Sequence, residues 1–154
     1  MTLAEFVTKY KGQHIEFDGL YLYQCVDLVQ LYNKEVIGAP PLKGNAKEYA
    51  NNPRSDFYEY KINYLWYIPP RGSIAVWSGN VGAGFGHVSV VLEASLTKFT
   101  SLDQNWPTGA PVTEVLHIYS NVLGFLVPRS NDVTSIHNAL VLDLQRLVGR
   151  YQMI

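Results

Sequence analysis

The sequence predicts an α+β domain, with helices first and an antiparallel sheet after them, and three observations carry that expectation. Apolar residues recur at helical spacing near the N-terminus and again in the tail, whereas from residue 73 onward the runs are short, β-branched and aromatic, divided by Gly, Pro, Ser and Asn. Helices in one block and strands in the next segregate into layers instead of alternating as βαβ units. The 154 residues are 47% hydrophobic and 13% aromatic, which fills one core of ordinary size. A single cysteine permits no internal disulfide and the sequence shows no zinc-like Cys/His cluster, so the domain is expected to fold without staples.

The first helix is expected at the N-terminus, where Thr2 and Glu5 have capping-box spacing and Leu3, Phe6, Val7 and Tyr10 share a face, with an end near Gly12. After an acidic, aromatic loop, apolar positions 25, 28, 29, 32 and 36 define a second helix that begins at or just before Cys25 and stops at Gly38. "NAKEYA", capped by Asn45, gives a third short helix. Residues 51–72 are punctuated by aromatics and prolines and read as loop with short extended pieces. The strands follow in "SIAVW", "HVSVVLE", "KFTSLDQNW", "EVLHIY" and "VLGFLV", and the expected arrangement is a meander. Ile136, Leu140, Leu144, Leu147 and Tyr151 form an apolar stripe on a C-terminal helix after the linker-like "VPRSND". Residues 1–129 are therefore read as the domain, and 130–154 as a linker and amphipathic helix that docks back on the domain, self-associates with another copy or meets a second module.

Charge and hydropathy narrow the function classes. A formal net charge of −1 without a lysine or arginine cluster argues against a nucleic-acid partner held by phosphate contacts. No stretch approaches the roughly 18 apolar residues of a membrane span, and "MTLAEFVTKY" lacks the pattern of a secretory signal. The expectation is a chain made in the cytoplasm, with no membrane partner.

The chemistry-bearing residues centre on Cys25. At a helix start, the unpaired backbone N–H groups and the helix dipole favour a thiolate, but acyl transfer also needs a base and something to orient that base. Of the four histidines, His14, His117 and His137 read as surface or structural residues. His87 differs, because it opens the strand "HVSVV" directly after the glycine-rich "SGNVGAGFG". On "SLDQNW", strand alternation puts Asp103 and Asn105 on one face and Gln104 on the other, so either Asp103 or Asn105 is placed to accept Nδ1–H of His87. Helix-start Cys, strand His and a strand acid or amide match papain-type roles. "GAGFG" lacks dinucleotide-binding spacing and precedes a strand, and "EFDGLYLYQCVD" fails the spacing of an EF-hand.

Taken in order, "FDGLYLYQCVDLVQLY", "GNAKEY", "RGSIAVW", "GHVSVV", "LDQNW" and "VLGFLVP" resemble the CHAP family, the cysteine, histidine-dependent amidohydrolases/peptidases of bacteriophage endolysins. The resemblance spans roughly residues 1 to 128 and implies a papain-like fold of the NlpC/P60 type that hydrolyses an amide bond in bacterial peptidoglycan, as N-acetylmuramoyl-L-alanine amidase or as stem or cross-bridge endopeptidase. It makes Cys25 the nucleophile and His87 the general base. Its acidic position usually holds Glu; here Asp103 is one methylene shorter, which leaves Asp103 and Asn105 both as orienting residues. The backbone N–H of Cys25 with the side chain of Gln24 or Asn105 would serve the oxyanion, and Tyr21, Tyr23, Trp77 and Trp106 would wall the substrate groove.

The resemblance also implies structural calcium in the loop before the cysteine, held by Glu16, Asp18 and Asp27 with backbone carbonyls of Leu20 and Leu22. Two alternatives stand beside it. One is an NlpC/P60-type peptidase, in which the third polar residue is usually a second histidine. The other is a catalytically silent module that binds the wall without turning it over.

Overall fold

The computed structural model describes residues 1–129 together with 144, 145 and 148. Helix α1 spans Leu3–Tyr10 and starts in the expected capping box: Glu5 N–H donates to Thr2 Oγ1 at 3.2 Å and Thr2 N–H to Glu5 Oε2 at 2.7 Å. Helix α2 spans Cys25–Tyr32 and buries Leu28, Val29 and Tyr32. Its α-helical hydrogen bonding does not run to Gly38 as the apolar spacing predicted. Instead it widens into a π-helical turn over Asn33–Ile37, which Gly38 closes in the left-handed region. Asn33, buried there, donates to the carbonyls of Ala39 and Pro40 and accepts from Tyr58 Oη, ties that fix the exit from α2. "NAKEYA" forms a 3₁₀ turn over Ala46–Ala50.

Six strands follow: β1 (Tyr58–Ile62), β2 (Ile74–Trp77), β3 (Val88–Ala94), β4 (Lys98–Asp103), β5 (Thr113–Ile118) and β6 (Val122–Pro128). They form one antiparallel sheet in the order β1-β6-β2-β3-β4-β5. The stretch 51–72, read as mostly loop, thus contributes an edge strand. Of the expected meander, β2 to β5 pair in sequence, but β6 leaves β5 and pairs with β2 and β1. In a flat sheet β5 and β6 would lie four strand spacings apart, roughly 19 Å. Only residues 119–121 join them, and the chain from Ile118 to Val122 reaches about 14 Å at most. The sheet must therefore curl until β5 approaches β2, and Trp77 of β2 indeed packs against His117 of β5 with ring centroids 4.9 Å apart.

The curl gives two apolar cores. One lies between helices and sheet, built on Phe6, Leu28, Val29, Tyr32, Ile74, Val76, Val88, Val90, Leu102 and Leu126. The other fills the inside of the curl with Ala75, Trp77, Val91, Phe99, Val122 and Phe125. Helix α2 packs on β3, and Gln104, just past the end of β4, donates to the Gln24 carbonyl before Cys25. The linker and C-terminal helix expected over 130–154 fall outside the described residues, apart from Leu144, Gln145 and Val148. Among the described residues, no helix is long and apolar enough to cross a membrane.

Candidate active site

Cys25 is the first residue of α2 and is half-buried against the helix-side core. Its position is set by its neighbours. Gln24, extended at φ −84° and ψ 160°, donates its backbone N–H to Asp27 Oδ2 at 2.7 Å, and Asp27 Oδ1 accepts Phe17 N–H at 3.2 Å. One carboxylate in the first helical turn thereby ties the preceding loop to the helix start. The sheet holds the same loop through Gln104. This fully buried amide accepts Ile15 N–H at 2.6 Å and donates to the carbonyls of Ile15 and Gln24, both at 2.8 Å.

His87 enters β3 from Gly86, and glycine is required there. The backbone has φ +83°, and a Cβ would stand 2.6 Å from the Trp77 carbonyl oxygen and 2.8 Å from Lys47 N and Cβ. The ring is 3% exposed, edge-on to Trp77 with Trp106 tilted against it. Its Nε2 lies 2.7 Å from Oδ2 of fully buried Asp103. With Nε2 so engaged, Nδ1 is the ring nitrogen left for Cys25. The expected bond used Nδ1 toward the acid, and the structure uses the other nitrogen. The shorter aspartate reaches the ring directly.

Asp103 has two further partners. His117 Nε2 lies 3.0 Å from the same Oδ2, and Ser101 Oγ donates to Oδ1 at 2.6 Å. His117, read as a surface or structural residue, is thus buried against the acid. Burial works against a charged His87, but hydrogen bonds and charges from Asp103 and Cys25 outweigh it and push the ring up to about 9. Burial alone would raise Asp103; the hydrogen bonds from His117 and His87, with their charges, hold it below its ordinary value. A thiol–imidazole–carboxylate chain of this kind, its imidazole and carboxylate buried, suits nucleophilic acyl transfer.

Asn105 is not on the strand face with Asp103. β4 ends at Asp103 and Asn105 turns to φ +61°, so alternation no longer applies. Its Nδ2 donates to Gln24 Oε1 at 3.2 Å and its Oδ1 accepts Gly109 N–H at 2.6 Å; the expected bond to His87 is replaced by these. Gln24 Nε2 donates to the Tyr21 carbonyl at 2.6 Å, which leaves its second amide hydrogen for another acceptor. Trp77 is buried at 2% exposure and backs the two imidazoles, so it is no groove wall. Tyr21 and Tyr23 are exposed and Trp106 half-buried, with Tyr23 against His14.

Glu16 and Asp18 from the loop before Cys25 and Asp27 from the first turn of α2 each bring a carboxylate oxygen to within 4.8 Å of the others. Burial first, and then the charges of Asp18 and Glu16, raise Asp27, against the opposing hydrogen bonds from Gln24 and Phe17 N–H. Gly19, Tyr21 and Leu22 all take positive φ, and Asp18 and Gly19 N–H donate to Glu16 Oε1 at 3.2 and 2.6 Å. An all-oxygen set of three carboxylates fits a hard divalent cation.

The CHAP domain family model matches residues 16–105, more than half of the chain and the whole span from the loop acids to Asn105. This chain belongs to the CHAP family. The endolysin PlyTW of Staphylococcus phage Twort is 34% identical over 123 residues, covering 73% of this chain and 26% of that protein. The probable autolysin PH of Staphylococcus aureus is 28% identical over 159 residues, 93% of this chain and 33% of its own length. The chain therefore spans about a quarter to a third of these relatives. Among solved structures, the endolysin LysIME-EF1 superposes with a TM-score of 0.73 at 24% identity, over 85% of this chain and 66% of that one. Ly7917 gives 0.62 at 16% identity, over 80% and 60%. These similarities show the papain-like fold of the CHAP domain.

Proposed function

We propose that this CHAP domain is a peptidoglycan hydrolase that cleaves an amide bond by a cysteine-dependent mechanism. The observation that carries the reading is the chain Cys25, His87, Asp103: a half-buried sulfur at a helix start acting on an imidazole whose far nitrogen is held at 2.7 Å by a buried carboxylate. The family and the endolysin and autolysin relatives supply the substrate class.

In the proposed cycle, the Cys25 thiolate adds to the amide carbonyl carbon. The C–N bond breaks as His87 gives its proton to the leaving amine, and a thioester remains. Water then attacks the thioester while neutral His87 takes its proton. The C–S bond breaks, the acid departs, and thiolate and imidazolium are restored. The backbone N–H of Cys25 and the free amide hydrogen of Gln24 would face the developing oxyanion, with Asn105 holding the Gln24 amide in place. Exposed Tyr21 and Tyr23 with Trp106 would flank the substrate.

Calcium is proposed as a structural ion held by the carboxylates of Glu16, Asp18 and Asp27 with the carbonyls of Leu20 and Leu22. The Leu22 carbonyl already accepts Gln24 N–H at 2.8 Å but keeps a second lone pair. When bound, the ion would neutralise the clustered acids and brace the loop that leads into Cys25.

The test is incubation of the chain with purified Gram-positive cell walls. Clearing accompanied by new free amino groups is expected, and mass spectrometry of the fragments would identify the amide cut. Co-sedimentation with walls without release of amino groups would overturn the hydrolase reading in favour of a silent binding module.

A further inference from the structure

We propose that His117 is a positioning residue for the Cys25–His87 pair: from β5 it fixes the Asp103 carboxylate and, through it, the tautomer and orientation of His87. The proposal rests on the cysteine-hydrolase reading above and extends it to a residue on a strand outside the matched span.

The burial pattern of β5 is the first observation. Leu116 and Ile118 are 61% and 67% exposed, whereas His117 between them is 7% exposed. An edge strand that turns two aliphatic side chains to water and an imidazole inward runs against the hydrophobic preference, so the imidazole must find compensation inside. Asp103 is that compensation. His117 Nε2 and His87 Nε2 both approach Oδ2, at 3.0 and 2.7 Å, and Ser101 Oγ takes Oδ1. A carboxylate oxygen has two lone pairs, so Oδ2 is filled by two donors and the group cannot rotate without breaking three bonds. Both rings then donate Nε2–H, which keeps Nδ1 of His87 open toward the sulfur.

The ring of His117 is itself locked. Trp77, Phe99 and Trp106 pack on it with centroids at 4.9, 5.5 and 5.5 Å. These neighbours are uncharged; the ionisable groups that face it are Asp103 from β4 and, at 6.5 Å between ring centroids, His87 from the start of β3. Cys25 acts from α2 on His87. His117 therefore works through Asp103 and not on the substrate. Removing its N–H frees Asp103 to swing and concentrates the carboxylate on His87. Turnover falls, and the deprotonation of His87 moves to higher pH.

The test compares His117→Phe, which keeps the ring volume without a donor, with His117→Gln, which keeps an N–H. Both are made in the full chain and assayed on purified Gram-positive walls. His117→Phe is expected to lower saturating turnover roughly ten- to a hundredfold with little change in half-saturating wall concentration, and to move the basic limb of the pH profile upward. His117→Gln should recover most of both. Wild-type rate and profile in His117→Phe, or an equal loss in both variants, would overturn the proposal. Should His117→Phe fail to fold, imidazole ¹⁵N NMR of the wild type above the titration of His87 decides: Nε2–H tautomers at His87 and His117 support it, and an Nδ1–H tautomer at His117 overturns it. Cys25→Ala serves as the control, because undiminished turnover by that variant would fail the cysteine reading itself and not the placement of His117.

Discussion

Replacing Asp103 by Asn keeps the shape of the side chain and removes its charge from the centre of the site. The rise of His87 from 6.5 to about 9 amounts to roughly 3 kcal/mol in favour of the charged ring. Burial opposes that rise, and Asp103 is the first of the groups that produce it. With the carboxylate gone, only Cys25 still opposes burial, and the ring should titrate well below 9, back toward its ordinary value. At neutral pH, His87 would then be largely uncharged and poorly oriented, and hydrolysis should fall by about 10²-fold or more. Imidazole NMR reads the titration, and amino-group release from purified walls reads the rate, on a variant whose far-UV circular dichroism matches the parent. A His87 that still titrates near 9 in Asp103→Asn, with turnover unchanged, would refute the reasoning.

Further outcomes follow from the same geometry. The raised His87 contributes stability that is complete below about pH 6.5 and lost as pH rises through about 9. The lowered Asp103 contributes stability that is present above its ordinary 3.8 and lost as pH falls through its folded value. Thermal unfolding across pH should thus show a plateau from about pH 4 to 6.5 with decline on both sides, and a stability still rising past pH 9 would contradict this. Gly86→Ala should lower the melting temperature and abolish turnover, because the left-handed backbone costs about 1–2 kcal/mol and the new Cβ collides with the Trp77 carbonyl; an unchanged melt would mean that the turn before His87 is not fixed. Chelation should lower the melting temperature, calcium should restore it, and Asp18→Asn should remove the difference. A melt indifferent to both chelator and calcium would exclude the site.

The parts of the fold that obey local rules were legible in the sequence. Thr2 with Glu5 announces α1, the spacing of Leu28, Val29 and Tyr32 announces α2, and β2 to β6 coincide with short β-branched runs. Cys25 and His87 were legible because each stands at a boundary, one at a helix start and one after a glycine that the backbone demands. What escaped was decided by tertiary closure. The three-residue link from β5 to β6 forces a curl, and no periodicity within a strand encodes which distant strand will be met. His117 escaped for that reason and one more: the aliphatic pair Leu116 and Ile118 suggests an inward face, whereas these residues face out and the imidazole faces in. Asn105 was misplaced because β4 ends two residues earlier, and Gln104 went unassigned because its partners, Ile15 and Gln24, lie some eighty to ninety positions away.

The account rests on sulfur chemistry at the start of α2, and Cys25→Ala tests it most directly. The variant removes one partly buried sulfur and should keep the fold. Its thermal unfolding and its release of free amino groups from purified Gram-positive walls are measured beside those of the parent chain. The expected result is a folded protein with no release above background. A folded Cys25→Ala that liberates amino groups at the parent rate would contradict the account.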